Sequence, residues 1–451
     1  MVNFKNFVCR TVDFLYVDAH NNSMKYIERI FDGVLESTLK SKGAVIIEGP
    51  KWCGKTTTAK RHCASVVDLL PTNTRASYIA LAKSSPADFL SLGDAPMLID
   101  EWQHVSFLFD DIKSEVDKRG FGQFILTGSV TDKSVEKEKD DEEYARHTGN
   151  GRIVRRRMRT MSLFESGESN GKVSLSSLRN GSFSPCQCSF SLKDYATAIC
   201  RGGWPLSLYP CEDPLSQAHD YFDVLCTDDL FSLKNVPLIR DEEKARLFLR
   251  SYARAISSAV GEDTMRKDCL SYSESFSRET FEKYMLALRY LCIVDDVPAW
   301  NPNLRSQTAI RAKPKRHLTD PSIAASALGL TPEGLFYDMS TFGLLFESLC
   351  VRDIHVYASA IGARVYHYQD SKRREADITV TFRDGCFALF ECKLGGDDDI
   401  DDAATKLRAI QSDIDESKTG KCAFCAVLTK GNLAYRRQDG VYVLPLAVLR
   451  P

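Results

Sequence analysis

The feature that most constrains the fold is a phosphate-binding pattern at residues 49–56, GPKWCGKT, which has the form G-x-x-x-x-G-K-[ST]. An apolar run at residues 44–47 precedes it and residues 57–60 can open a helix, as the motif requires. The glycines let backbone N–H groups turn toward an anion, and the helix N-terminus adds positive charge. The residues predicted to bind a nucleotide are Gly49, Pro50, Lys51, Trp52, Cys53, Gly54, Lys55, Thr56 and Thr57.

A second apolar run, MLIDE at residues 97–101, ends in two adjacent carboxylates. With Lys55 on the β- and γ-phosphates, the Thr56 hydroxyl and Asp100 can hold Mg²⁺. Glu101 can then orient or deprotonate the attacking water. The predicted cofactors are therefore ATP and Mg²⁺.

Residues 124–129, FILTGS, predict a buried strand that ends in hydroxyl side chains. By analogy with P-loop ATPases that carry a catalytic glutamate, Thr127, or failing that Ser129, is predicted to contact the γ-phosphate or the water. A simple strand-to-turn transition is the alternative.

Five arginines follow within residues 152–159. They can supply an arginine finger to a partner's nucleotide, an anion-binding or nucleic-acid face, or the charged solvent side of an edge strand. Arg152 is the favoured finger because the neighbouring glycines permit a close approach.

Length and composition predict several domains in a soluble, cytoplasmic protein. The 451 residues suggest about three domains of roughly 150 residues each, with boundaries predicted at 24–190, 191–335 and 336–451. A net charge of −2 restricts any nucleic-acid surface to a local patch. The 15 scattered cysteines are typical of reduced thiols, and no apolar run is long enough to cross a membrane.

Between the two ends, the patterns predict a helix over residues 25–39, a second strand over 76–81, and a surface excursion over 166–190 that ends the first sheet. A helix from residue 277, followed by short strands near 293–294 and 309–310, predicts a winged helix. Its wing is either a DNA-binding surface or a packing module between domains. The basic residues of this wing are Arg305, Arg311, Lys313, Lys315 and Arg316.

The C-terminal region predicts a second chemical site. A hairpin of residues 377–382 and 386–393 brings Asp377, Glu391 and Lys393 to one end of a sheet. The two carboxylates can bind Mg²⁺ and activate water against a phosphodiester, with Glu347 as an extra acid from a helix. This is the pattern of the PD-(D/E)xK nuclease fold. Lys406, Arg408 and Gln411 on the next helix can face the site, whereas the acidic run at 397–402 would repel DNA.

The combination resembles a large bacterial and archaeal family of AAA-type ATPases that carry a C-terminal domain of uncharacterised function on a nuclease-like core. The matching segments are residues 49–56, 98–102, 126–129, 147–153, 161–165, 319–321, 377 and 391–393. The resemblance implies an α/β protein with a P-loop NTPase sheet of the AAA/ASCE type, a helical and winged-helix middle, and a restriction-endonuclease-like α/β end.

Three functions remain open from the sequence. The first is a Mg²⁺-dependent ATPase, a homo-oligomer or activated by a partner that supplies an arginine finger, which couples nucleotide state to a DNA-directed module. The second is a nucleotide-gated regulatory protein with slow hydrolysis and a silent C-terminal domain. The third is a DNA endonuclease regulated by ATP.

Overall fold

The computed structural model describes residues 26–128, 151–209, 213–233, 236, 238–272, 276–302, 313–370 and 372–451. The chain forms two compact units. The first ends at Met158 and takes in Tyr290–Cys292, and the second comprises Arg159–Arg289 and Ile293–Pro451. Within the described ranges, no helix is both long and apolar enough to cross a bilayer.

The first unit contains a parallel sheet of five strands in the order β2-β3-β4-β1-β5. The strands are β1 Ala44–Glu48, β2 Ser65–Asp68, β3 Met97–Asp100, β4 Phe124–Thr127 and β5 Ile153–Arg157. The helices are α1 Ile30–Leu39, α2 Lys55–Arg61, α3 Thr72–Ser84, α4 Pro86–Phe89 and α5 Phe109–Arg119. The central strands β1, β3 and β4 are apolar except at their last residues, because both faces of the sheet are covered.

Alternate residues of these strands enter two separate cores. Ile46, Ile99 and Leu126 belong to one apolar cluster, whereas Val45 and Ile125 belong to the other. This alternation follows from the two-residue period of a strand. The parallel register also places the strand ends together, because Thr127 of β4 pairs with Ile47 of β1 on one side and with Asp100 of β3 on the other.

The structure corrects one predicted strand of this unit. Residues 76–81 lie within α3, and the second strand is the short segment Ser65–Asp68. Tyr78 and Ala82, one helical turn apart, are the buried residues of α3, so the segment buries a helical face. The predicted helix before β1 is confirmed as α1.

The second unit contains a mixed sheet of seven strands in the order β7-β12-β13-β11-β10-β9-β8. Its strands are β7 Cys186–Gln187, β8 Arg364–Gln369, β9 Glu375–Thr381, β10 Phe387–Lys393, β11 Cys422–Thr429, β12 Leu433–Arg436 and β13 Tyr442–Pro445. The predicted hairpin is confirmed by the antiparallel pairing of β9 with β10.

Residues 166–190 were predicted to end the first sheet. Instead, they add strands to the second unit. Besides β7, which pairs with β12, it contains β6 Val173–Ser174, which pairs in parallel with β14 Leu449–Arg450. These pairings join residues far apart in sequence, so no local pattern marks them.

The helices of the remaining chain are α6 Leu175–Arg179, α7 Leu192–Arg201, α8 Ser216–Thr227, α9 Glu242–Arg254, α10 Glu262–Tyr272, α11 Arg278–Tyr290, α12 Pro321–Leu328, α13 Met339–Ala360 and α14 Asp397–Asp413. Ile400 and Leu407 of α14 pack in one apolar cluster with Leu389 of the sheet. The acidic run opens α14, where carboxylates stabilise the positive end of the helix.

The predicted winged helix is only partly covered by the described residues. After α11, the chain forms antiparallel bridges at Val294–Leu318 and Val297–Lys315. The predicted second strand near 309–310, with Arg305 and Arg311, lies outside the described residues.

Candidate functional site

The phosphate-binding loop starts where β1 ends and leads directly into α2. Gly54, the residue before α2, has φ +99°, a left-handed conformation that favours glycine. A Cβ atom on Gly49 would lie 2.2 Å from the carbonyl oxygen of Met158. The structure therefore explains both glycines of the motif. Gly54 is required by its backbone angle, and Gly49 by the close approach of the Met158 carbonyl group.

The loop is fixed by two cations. The Nζ atom of Lys55, a buried residue, donates to the carbonyl oxygens of Gly49 at 2.8 Å and Pro50 at 2.7 Å. Arg29, which directly precedes α1, donates to the carbonyl oxygen of Cys53 at 2.8 Å. A phosphate bound in this loop would compete with the carbonyl groups for the Lys55 ammonium group.

Two hydroxyl groups converge on one carboxylate at the strand ends. Asp100 Oδ1 accepts hydrogen bonds from Thr56 Oγ1 at 3.0 Å and from Thr127 Oγ1 at 2.5 Å. Burial raises the pKa of Asp100, and the two hydroxyl donors oppose that rise. The structure thus brings together three residues that sequence analysis selected from three separate elements. Hydroxyl and carboxylate oxygens are ligands that Mg²⁺ prefers, so this set fits the predicted ion.

Glu101 follows β3 in a left-handed conformation, with φ +57° and ψ +42°. Its Oε2 atom accepts a hydrogen bond from Nε2 of Gln103. The amide oxygen of Gln103, Oε1, packs closely against Gly128, the residue after Thr127. A Cβ atom added to Gly128 would lie 2.2 Å from this oxygen. Sequence analysis missed Gln103, because its only signal was a polar residue two positions after the predicted base. Ser129, the alternative to Thr127, lies outside the described residues.

Arg152 is not brought to the nucleotide site of its own chain. Ile153 pairs with Ala44 in parallel strands, so Arg152 lies at the opposite edge of the sheet from the loop. Its guanidinium group forms an ion pair with Asp117. The predicted role of Arg152, an arginine finger for a partner's nucleotide, stays a prediction.

The arginines of β5 make contacts within the first unit. Arg155 forms an ion pair with Glu48 at 2.7 Å, and Arg157 donates to the carbonyl oxygen of Cys292 at 3.0 Å. These contacts favour the edge-strand alternative for the arginine run over a nucleic-acid face.

The predicted residues of the C-terminal site also meet. Glu347 comes from α13, Asp377 from β9 and Glu391 from β10, and all three are buried. Asp377 Oδ2 accepts a hydrogen bond from the backbone N–H of Cys392 at 2.9 Å. Lys393 Nζ lies 3.1 Å from Glu391 Oε1. We refer to Glu347, Asp377 and Glu391 as the carboxylate cluster.

Two lysines complete the surroundings of the carboxylate cluster. Lys406 of α14 donates to Glu391, as the sequence suggested, whereas Arg408 is exposed and donates to Gln411 at 2.5 Å. Lys315, which sequence analysis placed among the basic residues of the predicted wing, is 4% exposed. Its Nζ atom lies 2.8 Å from Glu347 Oε1 and 2.7 Å from Asp377 Oδ1.

These ion pairs correct the prediction for two of the five basic residues of the wing. Lys315 is engaged in the carboxylate cluster, and the buried Arg316 forms an ion pair with Asp296 at 2.6 Å. Neither side chain is available to a phosphate backbone. Within the described residues, Lys313 is therefore the basic wing residue that is exposed.

The carboxylate cluster, as it stands, does not fit a divalent cation. Burial, and then the charge of Asp377, raise the pKa of Glu347. Burial would raise the pKa of Asp377 too, but the Lys315 ammonium group holds it below its usual value. Among the described residues, no group of three or more His, Cys, Asp or Glu side chains is arranged to hold a metal ion. An ammonium group lies instead between two of the three carboxylates.

Three parts of the chain match known protein families. Residues 41–166 match a family described as AAA domain. Residues 192–334 match a family described as Domain of unknown function (DUF8612), and residues 342–449 match Domain of unknown function (DUF4143). Comparison with curated proteins gives no match.

Among solved structures, the chain is similar to the Walker-type ATPase PABY2304 of Pyrococcus abyssi. The two are 12% identical, the similarity covers 67% of this chain and 96% of that one, and the TM-score is 0.37. At this TM-score the likeness is too distant to inform either site.

The family match confirms part of what the sequence predicted. The residues that match the AAA domain, 41–166, contain the loop, Asp100, Glu101 and Thr127, which supports an AAA-type ATPase. The descriptions of the two other families name no activity. The winged helix, the nuclease-like fold and DNA binding therefore stay predictions.

Proposed function

We propose that the protein is a Mg²⁺-dependent ATPase whose nucleotide site consists of residues 49–57 with Asp100, Glu101 and Thr127. The observation that carries this proposal is the convergence of the Thr56 and Thr127 hydroxyl groups on one oxygen of the buried Asp100. A loop that only held an anion would need neither this buried carboxylate nor the second acid beside it.

Each side chain has a role that follows from its position. Lys55 binds the β- and γ-phosphates once it leaves the carbonyl groups of the loop. Thr56 and Asp100 hold Mg²⁺, which when bound neutralises charge on the phosphate oxygens. Thr127 keeps the Asp100 carboxylate oriented through its hydrogen bond.

Glu101 is the proposed general base. It orients the attacking water and accepts its proton, and the contact with Gln103 limits the positions that its carboxylate can take. Its location directly after the strand that carries Asp100 keeps base and metal ligand on the same edge of the sheet.

The second unit is part of the same proposal. The chain order α13-β8-β9-β10-α14-β11, with an antiparallel hairpin followed by a parallel strand, supports a PD-(D/E)xK-like core. We propose that nucleotide state is coupled to this unit and that the unit recognises DNA. The ion pairs of Lys315 favour recognition without cleavage.

ATP turnover in Mg²⁺, with and without DNA, tests the proposal. Glu101→Gln should bind ATP like the parent but turn it over about 10²–10⁴-fold more slowly, the usual effect of losing a general base. Lys55→Ala should lose ATP affinity, whereas Lys60→Ala on the same helix is the matched control.

The outcomes separate the alternatives. Unchanged turnover in Glu101→Gln with intact ATP binding would favour a nucleotide-gated switch over an ATPase. Unchanged ATP affinity in Lys55→Ala would contradict the nucleotide site itself. A rate that DNA does not alter would remove DNA as the coupled partner.

A further inference from the structure

We propose that the ammonium group of Lys315 takes the place of a divalent cation in the carboxylate cluster, which makes the second unit's site metal-independent. This inference goes beyond the ATPase proposal and does not depend on it. It also predicts that neutralising Lys315 creates a divalent-metal site in a chain that otherwise lacks one there.

The first support is the position of Lys315. Its Nζ atom lies 2.8 Å from Glu347 Oε1 and 2.7 Å from Asp377 Oδ1, and its side chain is 5% exposed. The two carboxylates come from different elements, a helix and a strand, and they converge on one point. A bridging metal ion would need these same two oxygens.

The second support is charge. The carboxylate cluster carries three formal negative charges, and three ammonium groups, those of Lys315, Lys393 and Lys406, lie against it. Buried charges are stable only when they are paired. The formal charges already balance, so a divalent cation would add two unpaired positive charges unless an ammonium group left.

The third support is that Lys315 is held by its backbone. Its N–H donates to the carbonyl oxygen of Val297 and its carbonyl accepts from the Val297 N–H, both at 2.9 Å. The adjacent Arg316 is tied to Asp296 at 2.6 Å and to the carbonyl oxygen of Val260 at 2.9 Å. With the backbone fixed, the ammonium group could leave only through a side-chain rearrangement that breaks both of its buried ion pairs, so we infer a permanent arrangement rather than a switch.

The cluster also retains an acceptor that a metal could use. Among the described residues, Glu391 Oε2 is buried without a hydrogen-bond partner. Substitution of Lys315 by methionine would free Glu347 Oε1 and Asp377 Oδ1 as well. Glu347 Oε1 and Asp377 Oδ1 would then have no cation between them, and carboxylate oxygens are the ligands that Mg²⁺ and Mn²⁺ prefer.

The test is Mn²⁺ binding to the full chain, measured by calorimetry and electron paramagnetic resonance in the absence of nucleotide. The parent and Glu391→Gln should bind Mn²⁺ identically, because the cluster holds none. Lys315→Met should gain about one Mn²⁺ per chain, and Lys315→Met combined with Glu391→Gln should lose it. Any binding at the nucleotide loop is common to all four proteins and cancels.

Thermal unfolding provides a second readout. Lys315→Met should unfold at a lower temperature than the parent, because two buried carboxylates lose their cation. Mn²⁺ should restore part of that loss in Lys315→Met but not in the double variant.

The inference fails if the parent binds a Mn²⁺ ion that Glu391→Gln loses. It also fails if the parent cleaves plasmid DNA in Mg²⁺ or Mn²⁺ and Glu391→Gln does not. These two comparisons do not require Lys315→Met to fold. A folded Lys315→Met that gains no Mn²⁺ would equally show that the ammonium group does not occupy a cation position.

Discussion

Replacement of Thr127 by valine isolates the hydroxyl group that orients Asp100. Thr127 is fully buried at the end of β4, and its Oγ1 atom donates to Asp100 Oδ1 at 2.5 Å. Valine has nearly the same shape and fits the same strand position, so the change removes one hydrogen bond and little else. Thr56 would remain as a donor to Asp100 at 3.0 Å.

The size of the effect follows from the strength of this hydrogen bond. A hydrogen bond to a charged group stabilises by about 1.5–3 kcal/mol. Burial already raises the pKa of Asp100. Loss of the Thr127 donor should raise that pKa further, by about one to two pH units at 1.36 kcal/mol each. Only the ionised carboxylate can hold the cation, so activity should be lost at a higher pH than in the parent.

The measurement is the pH profile of ATP turnover at saturating ATP and at several Mg²⁺ concentrations. The acid limb of Thr127→Val should move toward neutral pH by about one to two units, and its Mg²⁺ requirement should rise. Thr58→Val is the matched control, because Thr58 is equally buried in the same unit and its hydroxyl group contacts Tyr26 at 2.8 Å rather than Asp100.

An acid limb and a Mg²⁺ dependence that coincide with those of the parent would refute this reasoning. The pKa of Asp100 would then not depend on the Thr127 hydroxyl group. The assignment of Asp100 to the cation site would lose its main support. Equal shifts in Thr127→Val and Thr58→Val would point to a general loosening of the first unit.

Three further predictions concern single positions. Gly49→Ala should weaken ATP binding at least about tenfold in calorimetry, because its Cβ atom would lie 2.2 Å from the Met158 carbonyl oxygen. Gly33→Ala is the control, because its Cβ atom would meet nothing within 4 Å. Arg352→Met should lower the free energy of unfolding in urea by about 3–5 kcal/mol. The reason is that the fully buried carboxylates of Asp320 and Asp353 lose the cation that they share. Burial lowers the pKa of His367 to about 4 from 6.5, so unfolding takes up a proton between these values and stability falls as the pH falls through them. His367→Gln should remove about 2 kcal/mol of the stability difference between pH 7 and pH 5 in urea titrations.

The proposed nucleotide site could be predicted largely from sequence because its signals are local. A glycine-rich loop between an apolar run and a helix identified Lys55 and Thr56, and an apolar run ending in acids identified Asp100. Adjacent parallel strands end at one edge of a sheet, so residues at their ends must meet. The structure adds the register that pairs Asp100 with Thr127.

The failures have a common cause, which is that the deciding contacts are distant in sequence. The weakly patterned segment of α3 was predicted to be a strand, and only burial of one helical face corrects that prediction. Residues 166–190 were predicted to end the first sheet, but β6 and β7 pair with strands far along the chain. Gln103 is an exception, because Glu101 lies only two positions away, but nothing in the sequence indicates that the two side chains form a hydrogen bond.

The sequence by itself determined the strand-loop-helix that is proposed to bind phosphate, the acidic strand beside it, and the hairpin that carries Asp377 and Glu391, because each is encoded within a few residues. Only the tertiary structure decided what the carboxylates of the second unit face. Lys315 lies 62 positions before Asp377 and resembles a surface cation in sequence. Burial between two carboxylates turns it into their counter-ion, since a charge removed from water must be paired by whatever group the fold brings near it.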